Sequence, residues 1–264
     1  MKLFFAVCLC AAAAVCAAVP SYALEVEMDN RLGVTTLTEE YGSVDSEWVA
    51  FFYKNLFSVG HYPDEGFIGG VNVGVAVTPD TNEDWKLSGE NVATNDLRYW
   101  GIENSFEVGY VLPIFVDKTP FAPIMGYGWS FTRLKRSGFD IPGNTLSSES
   151  TEEDLWVHHV DAGFRLKHST HNEKLKVNLR GIFGFIVAAS SYNSANETKI
   201  DGGNGSFLIE TDLKADYFVD ENLIFNFGGF VGIQHLEGST KNSIVWPDTD
   251  LNTYGGSIGL KYVF

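Results

Sequence analysis

Cysteine is scarce: the 264-residue chain has three, Cys8, Cys10 and Cys16, all within the first 23 residues. Beyond them there is no thiol for a disulfide, a thiolate metal site or a cysteine nucleophile. Basic charge is also short, with 18 Lys and Arg against 34 Asp and Glu and a formal net charge of -16. Proteins that bind polyanions need the opposite balance, so nucleic acid is excluded as a partner. After residue 23 no apolar run approaches the roughly 20 residues of a membrane-spanning helix. No phosphate-cradling glycine loop, nucleotide motif or haem-attachment box occurs.

The first 23 residues have the layout of a secretory signal. Lys2 supplies the positive end, Leu3 to Val19 the apolar stretch, and Ser21-Tyr22-Ala23 a small-x-small cleavage site. None of the cysteines follows a lipidation box. The expectation is a cleaved leader, 1–23, and one exported domain, 24–264, without thiols.

What the rest has in quantity is period-two alternation, 27 glycines and 14% aromatic residues. Strands are expected at about 24–37, 67–77, 99–114, 121–134, 155–167, 174–188, 206–219, 223–235 and 252–264. Asn30 is an imperfection on the apolar face of the first. Segment 47–59 reads two ways. Val49, Phe51, Tyr53, Phe57 and Val59 share a strand face, while Trp48, Phe52 and Leu56 share a helix face with Asp45 as N-cap.

The chain ends on Gly255-Gly256-Ser257-Ile258-Gly259-Leu260-Lys261-Tyr262-Val263-Phe264. Ile258, Leu260, Tyr262 and Phe264 fall on one strand face; Ser257, Gly259 and Lys261 fall on the other. This ending resembles that of bacterial outer-membrane β-barrel proteins. Ser257, Gly259, Tyr262 and Phe264 match their insertion signal of polar residue, glycine and two aromatics. The resemblance implies location in the outer membrane, contact with its lipid and lipopolysaccharide, and handling by the barrel-assembly machinery. It implies no particular activity.

Connection lengths agree. After residue 66, long segments (79–96, 135–154, 189–205, 236–251) alternate with short ones near 117, 170 and 221, as surface loops alternate with periplasmic turns. The expected fold is all-β, a single antiparallel transmembrane up-and-down barrel. It has ten strands if 47–59 is a strand, or eight with an N-terminal interfacial helix. A soluble β-sandwich is the rival, but it has no reason to sort its loops by length.

The inward faces carry both signs: Glu103, Glu107, Asp161, Arg165, Lys176, Arg180, Glu210, Asp212, Lys214, Asp216 and Lys261. They make either a charged constriction or a salt-bridged filling, and Asp161 is placed to pair with Arg180 or Lys176. His159 beside Asp161 is a general-base arrangement, but no serine is placed with it, so no catalytic residue is assigned. Asp80–Asp84 and Asp248–Asn252 have oxygen ligands at alternate positions but lack a calcium loop's glycine and distant glutamate. His168 and His171 read as a solvated basic turn. Neither a metal nor a cofactor is expected. Trp48, Trp100, Trp129 and Trp156 read as interface anchors. The expected role is non-enzymatic: a structural or surface-binding barrel with long acidic loops, with a narrow diffusion channel as the alternative and a membrane-embedded hydrolase behind it.

Overall fold

The computed structural model describes residues 24–112, 119–141, 150–170, 174–194, 198–202, 205–241 and 244–264. Residues 1–23, with all three cysteines, and His171 lie outside them. The strands are β1 (Leu24–Tyr41), β2 (Val44–His61), β3 (Gly66–Val77), β4 (Thr81–Leu87), β5 (Glu90–Val111), β6 (Phe121–Asp140), β7 (Thr151–Ser169), β8 (Leu175–Asn193), β9 (Thr198–Asp201), β10 (Phe207–Phe218), β11 (Leu223–Leu236), β12 (Ser239–Lys241), β13 (Ile244–Trp246) and β14 (Asp248–Val263).

Ten of them close into an antiparallel barrel in the order β1-β14-β11-β10-β8-β7-β6-β5-β3-β2, with β2 returning to β1. The closing seam pairs β1 with β14 from Glu25 opposite Val263 to Glu40 opposite Asp248. The Phe264 amide adds a bond to the Leu24 carbonyl at 3.0 Å. Closure leaves no open edge among the ten barrel strands, which lipid demands because it offers no hydrogen bonds.

The barrel is apolar outside and polar within. Phe51, Phe67 and Met125 project outward with 76%, 76% and 65% of their surface exposed, while Asp29, Glu107 and Asn226 are buried in the lumen. Alternation along each strand sends one set to lipid and the other inward. Trp100, Phe131, Trp156 and Trp129 form a chain of ring contacts on β5, β6 and β7. It marks the outer membrane interface, where amphipathic rings settle. Directly above it Arg133 donates to both carboxylate oxygens of Asp154, at 2.6 and 2.8 Å.

Three expectations change. Segment 47–59 lies inside strand β2, so the eight-stranded alternative with a helix falls. Its helix-like apolar positions Trp48, Phe52 and Leu56 are buried toward the lumen, while Val49, Phe51 and Phe57 face out. Both faces of this strand are apolar, which blurs the period. Trp48 is therefore a lumen residue, 1% exposed, and not an interface anchor. The segments expected as long loops are largely strand. β4 and β5 fill most of 79–96, inserting above the short β3 between β2 and β5, and β6, β7, β8 and β14 also run past their expected outer ends. Above the girdle water bathes the outer face, so the apolar half of the alternation stops although the backbone ladder continues.

Two glycines fix the seam. Gly33 and Gly255 face each other across β1 and β14, and a Cβ on either would collide with backbone of the opposite strand. At Gly256 a Cβ would meet nothing closer than 3.7 Å. Gly255→Ala should lower the unfolding free energy by about 1–3 kcal/mol, as overpacking does. Gly256→Ala should change it by no more than about 0.5 kcal/mol. Urea titration of folded barrel, read by heat-modifiable migration, separates the two; equal effects would contradict this account of the seam.

Candidate functional site

The lumen is built in layers. At the periplasmic end Tyr62, from the β2–β3 turn, folds inward beneath Ile68, Val111, Ala122, Ile124 and Ile182. Gly60 and Gly70 leave the space its ring occupies. Arg165 lies over that ring at 4.4 Å, and the Lys167 ammonium donates to the Tyr62 carbonyl.

Above this floor a lattice of charges crosses the barrel. Arg165 and Arg180 both donate to Glu107, at 2.6 and 3.0 Å. Arg180 also reaches Glu210 and Asp212, each at 3.3 Å. Asp212 passes the chain to Arg31 at 2.7 Å, and Arg31 to Asp29 at 3.1 Å. Lys214 bridges Asp29 and Glu27 at 2.7 and 2.5 Å. Lys261 holds Asp216 at 2.7 Å and Glu25 at 3.4 Å. Lys54 pairs with Glu103 at 2.5 Å. Between and above these groups lie two chambers, which share Glu103 and Glu210 in their walls.

The expected interior charges therefore all line the lumen, but their partners differ from expectation. Asp161 pairs with neither Arg180 nor Lys176. The antiparallel register sets it opposite Gly184 and sets Arg180 opposite Arg165. Lys176 instead lies 3.7 Å from Asp64 in the β2–β3 turn. Asp161 accepts from His159 Nδ1 at 2.6 Å, and the pair occupies a slot beside Gly126, Gly128 and Gly184. Neither residue lines a chamber wall.

A dry layer closes the lumen over the chambers. Leu37, Trp48, Ala50, Leu97, Leu134, Leu155, Val157 and Leu236 pack across it, joined by Trp246 from the β13 edge of the outer hairpin. On top sits a second ionic centre. Arg136, 4% exposed, donates to Glu39 at 2.6 Å, Glu83 at 2.8 Å and Glu153 at 3.0 Å. Ser46 and Asn95 also donate to Glu83, at 3.0 and 2.8 Å, and Ser191 donates to Glu153 at 2.7 Å. One guanidinium thus serves three carboxylates. Burial pushes the Glu39 carboxyl up to about 7 against the pull of Arg136, and the charges of Glu153 and Glu83 push the same way. Burial opposes the charge on Arg136, but Glu39 and Glu83 outweigh it and hold its pKa well above the ordinary value.

These outer carboxylates and Arg136 escaped sequence reading because they fall in segments expected as loops or just past an expected strand end. Extending the inward phase would have found them: Glu39 continues Asp29, Arg31 and Leu37, and Arg136 continues Ala122 and Ile124. Asp80–Asp84 and Asp248–Asn252 are mainly strand. Alternation splits their side chains between two faces, and among the described residues no cluster has metal-ligand geometry. His168 accepts or donates to Thr119 Oγ1 at 2.8 Å.

No family model and no curated protein matches the sequence. Solved structures match the fold. The outer membrane protease OmpT from Escherichia coli superposes with a TM-score of 0.69 at 12% identity, over 93% of this chain and 99% of that one. The translocator domain of the autotransporter NalP from Neisseria meningitidis gives 0.45 at 14% identity, over 96% and 93%. The chain has the fold of a bacterial outer-membrane β-barrel.

The raised Glu39 carboxyl has a consequence for stability. Its folded pKa, about 7, exceeds the ordinary 4.5, so the folded chain holds a proton the unfolded chain has lost. The stabilisation is full below pH 4.5 and disappears as pH rises through about 7. It amounts to a few kcal/mol at most. Glu39→Gln should flatten this part of the stability–pH curve, measured by urea unfolding between pH 4 and pH 8. An unchanged slope would refute the assignment.

Proposed function

We propose that the chain is a closed, non-conducting outer-membrane barrel that works at its outer surface, as a structural or surface-binding protein. The observation that carries this reading is the layer of Leu37, Trp48, Leu97, Leu134, Leu155, Val157 and Leu236 packed across the lumen. A hydrated ion entering it would exchange most of its water for apolar side chains, a cost of several kcal/mol. The Arg136 centre above and Tyr62 below add further barriers. The buried charges thus serve as filling, each one matched to partners.

The diffusion-channel reading has less support, since the charges of both signs pair with one another beneath the apolar layer. The hydrolase reading has less support: His159 and Asp161 sit against Gly126, Gly128 and Gly184, and neither lines a chamber. What remains is the extension above the girdle. Its hairpin tips carry Glu40, Asp45, Glu47, Asp84 and Glu90 on β1, β2, β4 and β5, an acidic surface suited to cationic partners. The outward Tyr262 and Phe264, 44% and 64% exposed, suit recognition by the assembly machinery, with Ser257 and Gly259 on the opposite face. Removal of residues 1–23 on export belongs to the same reading, as does contact of the belt with lipopolysaccharide.

Single-channel recording of the folded barrel in a planar bilayer tests the proposal. No discrete conductance steps are expected. Reproducible openings would overturn it in favour of a channel.

A further inference from the structure

The outer face of the barrel is largely apolar; single polar side chains, Asn104 on β5 and Thr211 on β10, interrupt it, and on β1 and β2 two stand together. On β1 the lipid-facing positions are Val26, Met28, Asn30, Leu32 and Val34, so Asn30 stands midway across the belt. Met28 and Leu32 on either side are 47% and 61% exposed. Asn55 lies directly opposite it on β2, among exposed Tyr53 and Phe57. The three polar groups bond one another. Tyr53 Oη donates to Asn30 Oδ1 at 2.7 Å, and Asn55 Nδ2 donates to the same oxygen at 3.1 Å.

This leaves a remainder. Asn30 Nδ2 and Asn55 Oδ1 have no hydrogen-bond partner among the described residues. An amide facing hydrocarbon with unmet donors and acceptors costs of the order of 2–7 kcal/mol, and polar groups inside a bilayer usually face another protein surface or a cavity. The remainder is self-complementary, because one amide offers hydrogens and the other offers an oxygen. Two copies related by a two-fold axis at this point exchange both bonds, with Asn30 Nδ2 of each donating to Asn55 Oδ1 of the other.

A second feature lies beside the first. Gly256 on β14 pairs with Leu32 of β1 and with Gly229 of β11. Both glycines face outward. A Cβ would lie no closer than 3.7 Å to other atoms at Gly256 and 3.4 Å at Gly229, so the barrel's own packing does not demand glycine at either place. Together they make a flat spot where a second backbone can approach closely, as small residues do between membrane-spanning segments.

We infer that the β2-β1-β14-β11 face, centred on Asn30 and Asn55, is a two-fold interface through which two copies of this chain pair within the outer membrane. The occupant is a second copy because the exposed donor and acceptor complement each other, a match no lipid tail provides.

The test uses the full chain in isolated outer membranes, with a short thiol cross-linker and single-cysteine variants. Leu32→Cys, on the proposed face, should yield a cross-linked homodimer. Met125→Cys, on the far wall, should yield at least tenfold less. Asn30→Leu with Asn55→Leu should cut the Leu32→Cys dimer at least tenfold while leaving heat-modifiable migration intact. Gly229→Leu, which fills the flat spot by steric bulk alone, should do the same and serves if the double variant fails to fold. Equal cross-linking at Leu32→Cys and Met125→Cys would overturn the inference. So would products that contain only a different protein, or a dimer that survives whichever of these variants folds.

Discussion

In hydrocarbon a peptide N–H finds no water, and this constraint shapes everything else in the chain. A sheet edge cannot be left open in such a medium, so β1 must meet β14, and the chain's first described residue hydrogen-bonds its last. Closure with ten strands then fixes an interior narrow enough for side chains to bridge. The polar half of every strand is forced into that interior, where charges are stable only when paired. The salt-bridge lattice from Glu107 through Arg180, Asp212, Arg31 and Asp29 to Lys214 follows from closure. It is not evidence of transport. Removing one member strands its partners, a loss typically of 3–5 kcal/mol for buried pairs.

The second determinant is the change of medium along the barrel axis. Inside the bilayer the outward face must be apolar; above the girdle it meets water. The ladder ignores this boundary and continues upward, carrying the dry layer and the Arg136 centre with it. Arg136 is held by β1, β4 and β7 through their carboxylates, so it ties together strands that are far apart in sequence. Burial of Glu39 beside Arg136 makes the centre responsive to protons and places that response at the outer end of the molecule.

Much of this was legible in the residues. Alternation located nine of the ten barrel strands and left 47–59 open between strand and helix, and the sorting of connections into long and short gave the topology. The inward charges were legible as a set because phase alone decides which way a side chain points. Their pairing was not legible, since Asp161 opposite Gly184 rather than Arg180 depends on register across β7 and β8, where the ladder also shifts between His158 and His159. The upper site was missed because the pattern used to find strands is a membrane pattern, and Glu39, Glu83, Arg136 and Glu153 lie above the membrane. Trp48 was misplaced because a strand apolar on both faces has no period to read. Asn30 stood out early as a polar break in a lipid-facing row, and the structure gave it a matching neighbour.

The central claim is that a dry layer of side chains seals the lumen, and the most direct measurement asks whether water-borne reagents reach it. Val157→Cys places a thiol of similar size in that layer, at a position 3% exposed. Intact cells treated with a membrane-impermeant maleimide should leave it unlabelled, while Glu90→Cys at the outer hairpin tip is labelled to completion. Labelling of Val157→Cys at a rate near that of Glu90→Cys would mean an open, water-filled lumen and would contradict the account.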